Sequence, residues 1–207
     1  MSGTLPKSSE LALSSFDTFI VDRTAKVRVK VFLCGKALHP TISIQEQADD
    51  DLRAYLLMRL ESEIGCHVFL GEHNRLIATY HAAVGYTLPS NGNLDNANLA
   101  LFEAGLADYV DLIVIFPDSP GSFAELGMFS VAPAVCPKLL LIIKGQYKGV
   151  ANFINRGPVL AATHSRAQVE YVDYDDRQKI FEVVRAEVVK IREAIAAQEL
   201  WQRRTSR

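Results

Sequence analysis

The sequence predicts an α/β fold, a three-layer doubly wound sandwich around a mostly parallel five-stranded sheet in the order 2-1-3-4-5. Three observations predict it. Continuous apolar runs recur, as in Leu112-Ile-Val-Ile-Phe116 and Leu139-Leu-Leu-Ile-Ile143, without the polar alternation of a sheet that has one wet face, so these strands are covered on both sides. Between them lie stretches with apolar residues at three- and four-residue steps, the inner stripes of helices. The two patterns alternate along the chain, as parallel strands joined by helical crossovers require.

Residues 1–25 are read as an N-terminal extension, with a short helix over Leu11–Val21, and residues 26–207 as a single domain. Val27-Arg-Val-Lys-Val-Phe-Leu-Cys34 is the first strand, turning at Gly35. Residues 38–48 read as a loop. Leu52, Leu56, Leu60 and Ile64 then mark a helix over 49–64, with Gly65 placed to cap its C-terminus. Cys66–Gly71 is the second strand. Residues 72–93 carry Gly85, Pro89 and Gly92 without a clear period and read as a surface excursion, in which His73, His81 and Tyr86 could form a lid. A helix is expected over Leu94–Tyr109, with Leu94, Ala97, Leu101 and Ala104 inward. The third strand follows Asp111, and a short helix over 123–132 leads to the fourth strand, Lys138–Ile143. Residues 144–166 read as a loop, and Gln168–Val172 alternates as an edge strand. The longest helix spans 175–202, with Ile180, Val184, Val188, Ile191 and Ile195 at helical steps.

Composition narrows the function classes. The chain has 207 residues, 49% of them hydrophobic and 22% charged, with a formal net charge of −2. That balance suits one globular core and gives no overall attraction to nucleic acid or anionic membrane. No apolar run reaches the ~20 residues of a membrane span, and no signal-peptide core opens the chain, so a cytoplasmic location is expected. Cys34, Cys66 and Cys136 are an odd number without a CxxC pair, which suits buried free thiols. No metal and no other cofactor is expected.

The stretch Phe116-Pro-Asp-Ser-Pro-Gly-Ser-Phe-Ala-Glu-Leu-Gly127 carries the chemistry. It lies where a buried strand turns into a helix, the place where parallel sheets bind ligands. The expected order makes the first and third strands neighbours, so Cys34-Gly35 and Pro117-Asp118 should face one cleft. Gly121 permits a tight turn, while Ser119, Ser122, Asp118 and Glu125 offer groups for a sugar or phosphate. Lys144, Tyr147 and Lys148, after the fourth strand, are placed to meet a pyrophosphate. Ser122-Phe-Ala-Glu125 also has the form of a capping box, with Ser122 at the N-cap and Glu125 at the third helical position. On that reading Glu125 is a structural residue.

The strand, the Pro-Asp and Gly-Ser turn and Ala-Glu-Leu-Gly127, with Asn96, Asn98 and Glu103 on the preceding helix, resemble the nucleoside 2-deoxyribosyltransferase-like family. The wording of the turn is closest to members associated with retron and other bacterial anti-phage systems. The resemblance implies that Glu125 attacks the anomeric carbon of a sugar. An acid that assists departure of the base is expected six residues earlier, where this chain has Ser119 with Asp118 beside it. Asn98 falls where the family has an aspartate that helps to hold the sugar, and Phe32 and Gly35 match the end of the family's first strand loosely. Gly121, Ser119 and Ser122 would line the substrate. The resemblance also implies a homo-oligomer and a regulatory or retron partner.

Keeping the glutamate while replacing the acid favours one class of substrate. Loss of a neutral purine needs a proton on the base, whereas a pyridinium base is cationic and departs neutral. The expected activity is therefore cleavage of the N-glycosidic bond of NAD or a related nucleotide or nucleoside. Two alternatives stay open: a non-catalytic Rossmann-like nucleotide sensor, and a phosphoribohydrolase acting on nucleoside monophosphates.

Overall fold

A computed structural model of the chain describes residues 26–85 and 97–205. The helix expected over Leu11–Val21, together with Tyr86, Pro89, Gly92 and Leu94, lies outside the described residues. The chain divides into two compact units, one of Val29–Ala186 and a smaller one that includes 26–28 and 187–205. The larger unit holds all five strands: β1 (Lys30–Cys34), β2 (His67–Leu70), β3 (Leu112–Ile115), β4 (Leu139–Lys144) and β5 (Gln168–Val172). They form one parallel sheet in the order β2-β1-β3-β4-β5. The α/β class and strand order are those expected from the sequence.

Residues on successive strand positions face opposite sides of the sheet. On one side Phe32, Cys34, Ile113, Ile115, Leu139, Leu141 and Ile143 join a single buried cluster. Three helices complete it, α3 (Asn74–Ala83), α4 (Leu99–Tyr109) and α5 (Pro120–Ser130), with Ile77, Phe102, Leu106, Leu126 and Phe129. The alternate residues, Val31, Leu33, Leu112, Val114, Leu140 and Ile142, are equally buried. Helix α1 (Ile44–Gln47) precedes α2 (Leu52–Arg59), which buries Ala54, Leu56 and Leu57. Helix α7 (Arg177–Thr205) follows the short α6 (Leu160–His164). Arg59 on α2 stacks over Phe181 on α7, 3.8 Å from the ring centroid, so these two helices are neighbours.

Several segments read as loops are folded. Residues 38–48 contain α1, started by a capping box in which Ser43 and Glu46 satisfy each other's backbone donors. The helix expected over 49–64 begins at Leu52, because the Asp51 carboxylate takes the Arg53 and Ala54 N–H groups. It widens into a π turn over Leu60–Ile64 and stops at Gly65, whose φ of 68° is left-handed. The excursion over 72–93 contains α3, so His81 is no lid residue: it is buried, and its Nδ1 donates to Ile77 O at 2.9 Å while Nε2 accepts from Asn98 N at 3.1 Å. Residues 144–166 hold a 3-10 turn (Gly145–Tyr147), a π turn (Asn155–Val159) and α6. Asn155 organises that segment, donating to Tyr147 O and Val150 O and accepting from Tyr171 Oη on β5.

Helix α4 starts later than expected and turns a different face inward. Phe102, Leu106 and Ala107 are its buried residues, while Leu101 and Ala104 are exposed. The face is set by Gly105, where an added Cβ would lie 2.3 Å from Cε2 of Tyr80 on α3. Alanine is the better helix former by about 1 kcal/mol, so propensity alone makes Gly105→Ala stabilising. We expect the opposite, a lower thermal midpoint, because the Tyr80 ring has to be displaced. The double variant Gly105→Ala with Tyr80→Ala should lose less than the sum of the two single losses in a thermal-unfolding cycle.

Candidate active site

The C-terminal ends of β1 and β3 meet at the point where the chain leaves the sheet in opposite directions, the topological switch point. Cys34 pairs with Ile115 in the ladder, and Phe116 N donates to Cys34 O at 2.9 Å. Just beyond, Lys36 N donates to Asp118 Oδ1 at 3.0 Å. The two strand ends predicted to share a cleft are thus tied to each other, and Asp118 is the tie. Partial burial raises the Asp118 carboxyl above the usual aspartate range, and the Lys36 N–H opposes that rise.

Helix α5 begins at Pro120, three residues before the predicted start. Its N-cap is Ser119, with Ser122 at the third position: Ser122 N donates to Ser119 Oγ at 3.2 Å, and Ser119 N donates to Ser122 Oγ at 3.0 Å. Pro120 suits the first helical position, where no N–H is needed. Ser122 Oγ also accepts from Asp118 N at 3.1 Å. This overturns the predicted capping box of Ser122 and Glu125, because a serine pair fills both of its roles. Glu125 is left with no backbone donor to satisfy.

Glu125 is 8% exposed, and its Oε2 has no hydrogen-bond partner among the described residues. Burial pushes its carboxyl up to about 8, Glu103 adds to the rise, and Arg53 together with a polar contact from the Cys34 thiol pulls against it. The thiol itself is held protonated, first by burial and then by the nearby Glu125 charge. A buried carboxyl without a partner costs free energy unless something else uses it.

Sequence reasoning missed three of the neighbours. Arg53 on α2 is 4% exposed, and its guanidinium caps the end of β1. Nε and Nη2 donate to Leu33 O at 3.0 and 2.7 Å, and Nη1 donates to Lys36 O at 3.2 Å. Nη1 and Nη2 also take both oxygens of Glu72 at 2.7 and 2.8 Å. Glu103, named in the resemblance but given no role, is half-buried on α4, and burial raises its carboxyl while Arg53 lowers it. Its Oε1 would lie 2.9 Å from a Cβ added at Gly71, so the glycine after β2 leaves room for this carboxylate. An arginine within an apolar helical stripe was the available signal for Arg53. Glu103 had none, since five residues separate it from Asn98 and nothing local shows which face turns inward.

The other predicted site residues fall in different places. Gly35 lies at the end of β1, where an added Cβ would meet Arg53 Cδ at 3.4 Å. Gly121 is exposed at the start of α5 with open space around it. Phe32 is fully buried in the core, edge-on to Phe129 at 6.3 Å. Asn98 is the exposed N-cap of α4, its Oδ1 accepting from Leu101 N at 3.1 Å. The Ser119 and Ser122 hydroxyls are engaged within the turn. Lys144 ends β4. Among the described residues no group of three or more His, Cys, Asp or Glu side chains is arranged to hold a metal ion, and no helix is long and apolar enough to cross a membrane.

Comparison with known proteins places this geometry in context. Residues 49–205 match the family described as "STM3845 retron effector protein". Over 62 residues, 30% of the chain, it is 47% identical to the Escherichia coli protein named "Retron Ec86 putative ribosyltransferase/DNA-binding protein". Over 163 residues, 76% of the chain, it is 27% identical to the "Retron Ec73 putative ribosyltransferase/DNA-binding protein" of the same organism. The chain covers 20% and 46% of the lengths of these two curated relatives.

The cap and the carboxyl are separable by stability. Ser119→Ala should cost about 1 kcal/mol through loss of the cap. Glu125→Gln should behave in the opposite way. The folded chain holds the Glu125 proton up to about pH 8, whereas the unfolded chain releases it near 4.5. Within that window the folded state binds more protons, so wild-type stability falls as pH rises. The Gln variant lacks this loss, and urea unfolding should show it gaining on wild type from pH 5 to pH 8, by on the order of a few kcal/mol at the upper end.

Proposed function

The chain belongs to the STM3845 retron effector family, and on that premise we propose that it cleaves the N-glycosidic bond of NAD or a related nucleotide, with Glu125 as the nucleophile. The observation that carries this reading is a carboxyl buried at the switch point, released from any capping role and with one oxygen unpartnered. The relatives named as ribosyltransferases support chemistry at a sugar C1 carbon.

In the proposed reaction the Glu125 carboxylate attacks C1′ and forms a glycosyl ester. The C1′–N bond breaks, and its electron pair neutralises the departing pyridinium ring. Water then attacks C1′, the ester bond returns its electrons to Glu125, and the proton of the water leaves through a neighbouring carboxylate to solvent. Glu103, beside Glu125, and Asp118, at the strand end, are the candidates for that carboxylate, since Glu72 is held by Arg53.

The raised proton affinity of Glu125 favours a cationic substrate. A nucleophile must be ionised, and at neutral pH this carboxyl holds its proton. A pyridinium charge about 4 Å away contributes roughly 4 kcal/mol at an effective dielectric of about 20. That is worth about three units of pKa, enough to ionise Glu125 on binding. A neutral purine nucleoside offers no such help. The glutamates around Arg53, whose donors are already taken, favour a cation in the same way. As a retron effector the protein would act against phage by depleting a nucleotide, in the cytoplasm, with a homo-oligomeric assembly and a retron partner restraining it.

Purified protein should release nicotinamide from NAD and leave deoxynucleosides intact, as resolved by chromatography. Glu125→Gln should lower turnover at least ~1000-fold while keeping the fold. Cleavage of deoxynucleosides alone would overturn the pyridinium preference. Saturable nucleotide binding without any product would favour a sensor instead.

A further inference from the structure

A cavity opens at the C-terminal end of the sheet, where β4 and β5 finish. It measures about 360 Å³ and is lined by Lys144, Gly145, Gln146, Asp173, Tyr174 and Asp175. Its volume falls within the range of small-molecule sites. One wall is fixed: Tyr174 Oη donates to Ile142 O at 2.6 Å, and its ring meets Phe116 edge-on at 6.0 Å. Lys144 Nζ lies 5.1 Å from the centre of that ring. Phe116 is the last residue before the Pro117-Asp118 turn, so Tyr174, which lines the cavity, packs on the residue that leads into that turn.

Charge and spacing select the ligand. One ammonium and two carboxylates line the cavity, a net negative set that disfavours a bare phosphate as its occupant. Carboxylates accept from the vicinal hydroxyls of a ribose, while an ammonium suits a phosphate that enters from one side. Neighbouring strands lie about 4.8 Å apart, so the β4–β5 gap is roughly 10 Å from the β1–β3 gap. That separation suits the two riboses of one molecule joined by a pyrophosphate, whose path crosses the ends of β3 and β4 beside Asp118 and Lys144.

We propose that this cavity holds the distal ribose of a dinucleotide whose other ribose is presented to Glu125, with Asp173 and Asp175 on its hydroxyls and Lys144 on the pyrophosphate. The proposal rests on the N-glycosidase reading for its purpose, though the cavity can be tested without turnover. It makes the substrate a dinucleotide, and a mononucleotide carrying the same pyridinium riboside becomes a poor substitute.

Two measurements separate the subsite from the reaction. In the first, kcat/KM is compared for NAD and nicotinamide mononucleotide. Wild type should prefer NAD at least ~10-fold, and the combined substitution Lys144→Gln with Asp175→Asn should bring that ratio close to one. In the second, ADP-ribose is titrated calorimetrically into Glu125→Gln protein, with and without the same pair of substitutions. Binding should weaken at least ~10-fold when the pair is changed. An unchanged NAD preference, or no preference in wild type, would overturn the subsite while leaving Glu125 chemistry intact. Binding of ADP-ribose that depends on Lys144 and Asp175 in a protein that cleaves nothing would uphold the subsite and sink the glycosidase. ADP-ribose that fails to bind, or binds equally well to both forms, would end the subsite proposal.

Discussion

A carboxyl taken out of water, with one oxygen unpartnered among the described residues, is the constraint around which the larger unit is arranged. Glu125 sits on a helix whose first turn is closed by two serines, so its side chain is free of local duty and faces the strand ends. Its burial is unfavourable in the resting protein, and the Glu103 charge makes it more so. What keeps the arrangement in place is the covered sheet beneath it, where β1 and β3 are buried on both faces. A small destabilised site is carried here by a large apolar core.

Arg53 shows how that balance is kept. A buried guanidinium is costly unless its donors are used, and here the β1 carbonyl of Leu33, the Lys36 carbonyl and both Glu72 oxygens use them. The residue locks the exit of β1 from the sheet and contributes positive charge near Glu125 and Glu103. Because its donors are spent, it moderates those carboxyls without forming an ion pair with either. The site keeps an acidic character that a cationic ring would relieve. Asp118 does the corresponding work for β3, joining its turn to the backbone of Lys36.

The segments that read as loops and proved to be folded do so for different reasons. Helix α3 contains a histidine, an arginine, an asparagine and a threonine over ten residues, and its inward side is completed by Gly105 and Phe102 from α4. The 144–166 segment owes its shape to Asn155, whose partners are backbone carbonyls and a tyrosine from β5. In 144–166 the hydrophobic period is weak and contacts distant in sequence supply the order, whereas α3 carries its period in Leu76, Ile77, Tyr80 and a buried His81, a polar residue at a core position. The opposite held at Gly65 and along the strands, where a left-handed glycine and unbroken apolar runs carry their own geometric meaning.

The sequence by itself determined the sheet, its strand order and the position of the Pro-Asp-Ser-Pro-Gly turn, because burial on both faces and strand–helix alternation are local patterns with few topological solutions. It also singled out Glu125, though with a structural alternative of equal form. Only the tertiary structure removed the capping alternative, since which serine caps a helix depends on where the preceding strand releases the chain. It likewise placed Arg53, Glu72, Glu103 and Cys34 around that carboxylate, residues from four separate elements that no spacing in the chain connects. Their meeting is a product of the strand order, which brings the ends of β1, β2 and β3 to one edge of the molecule.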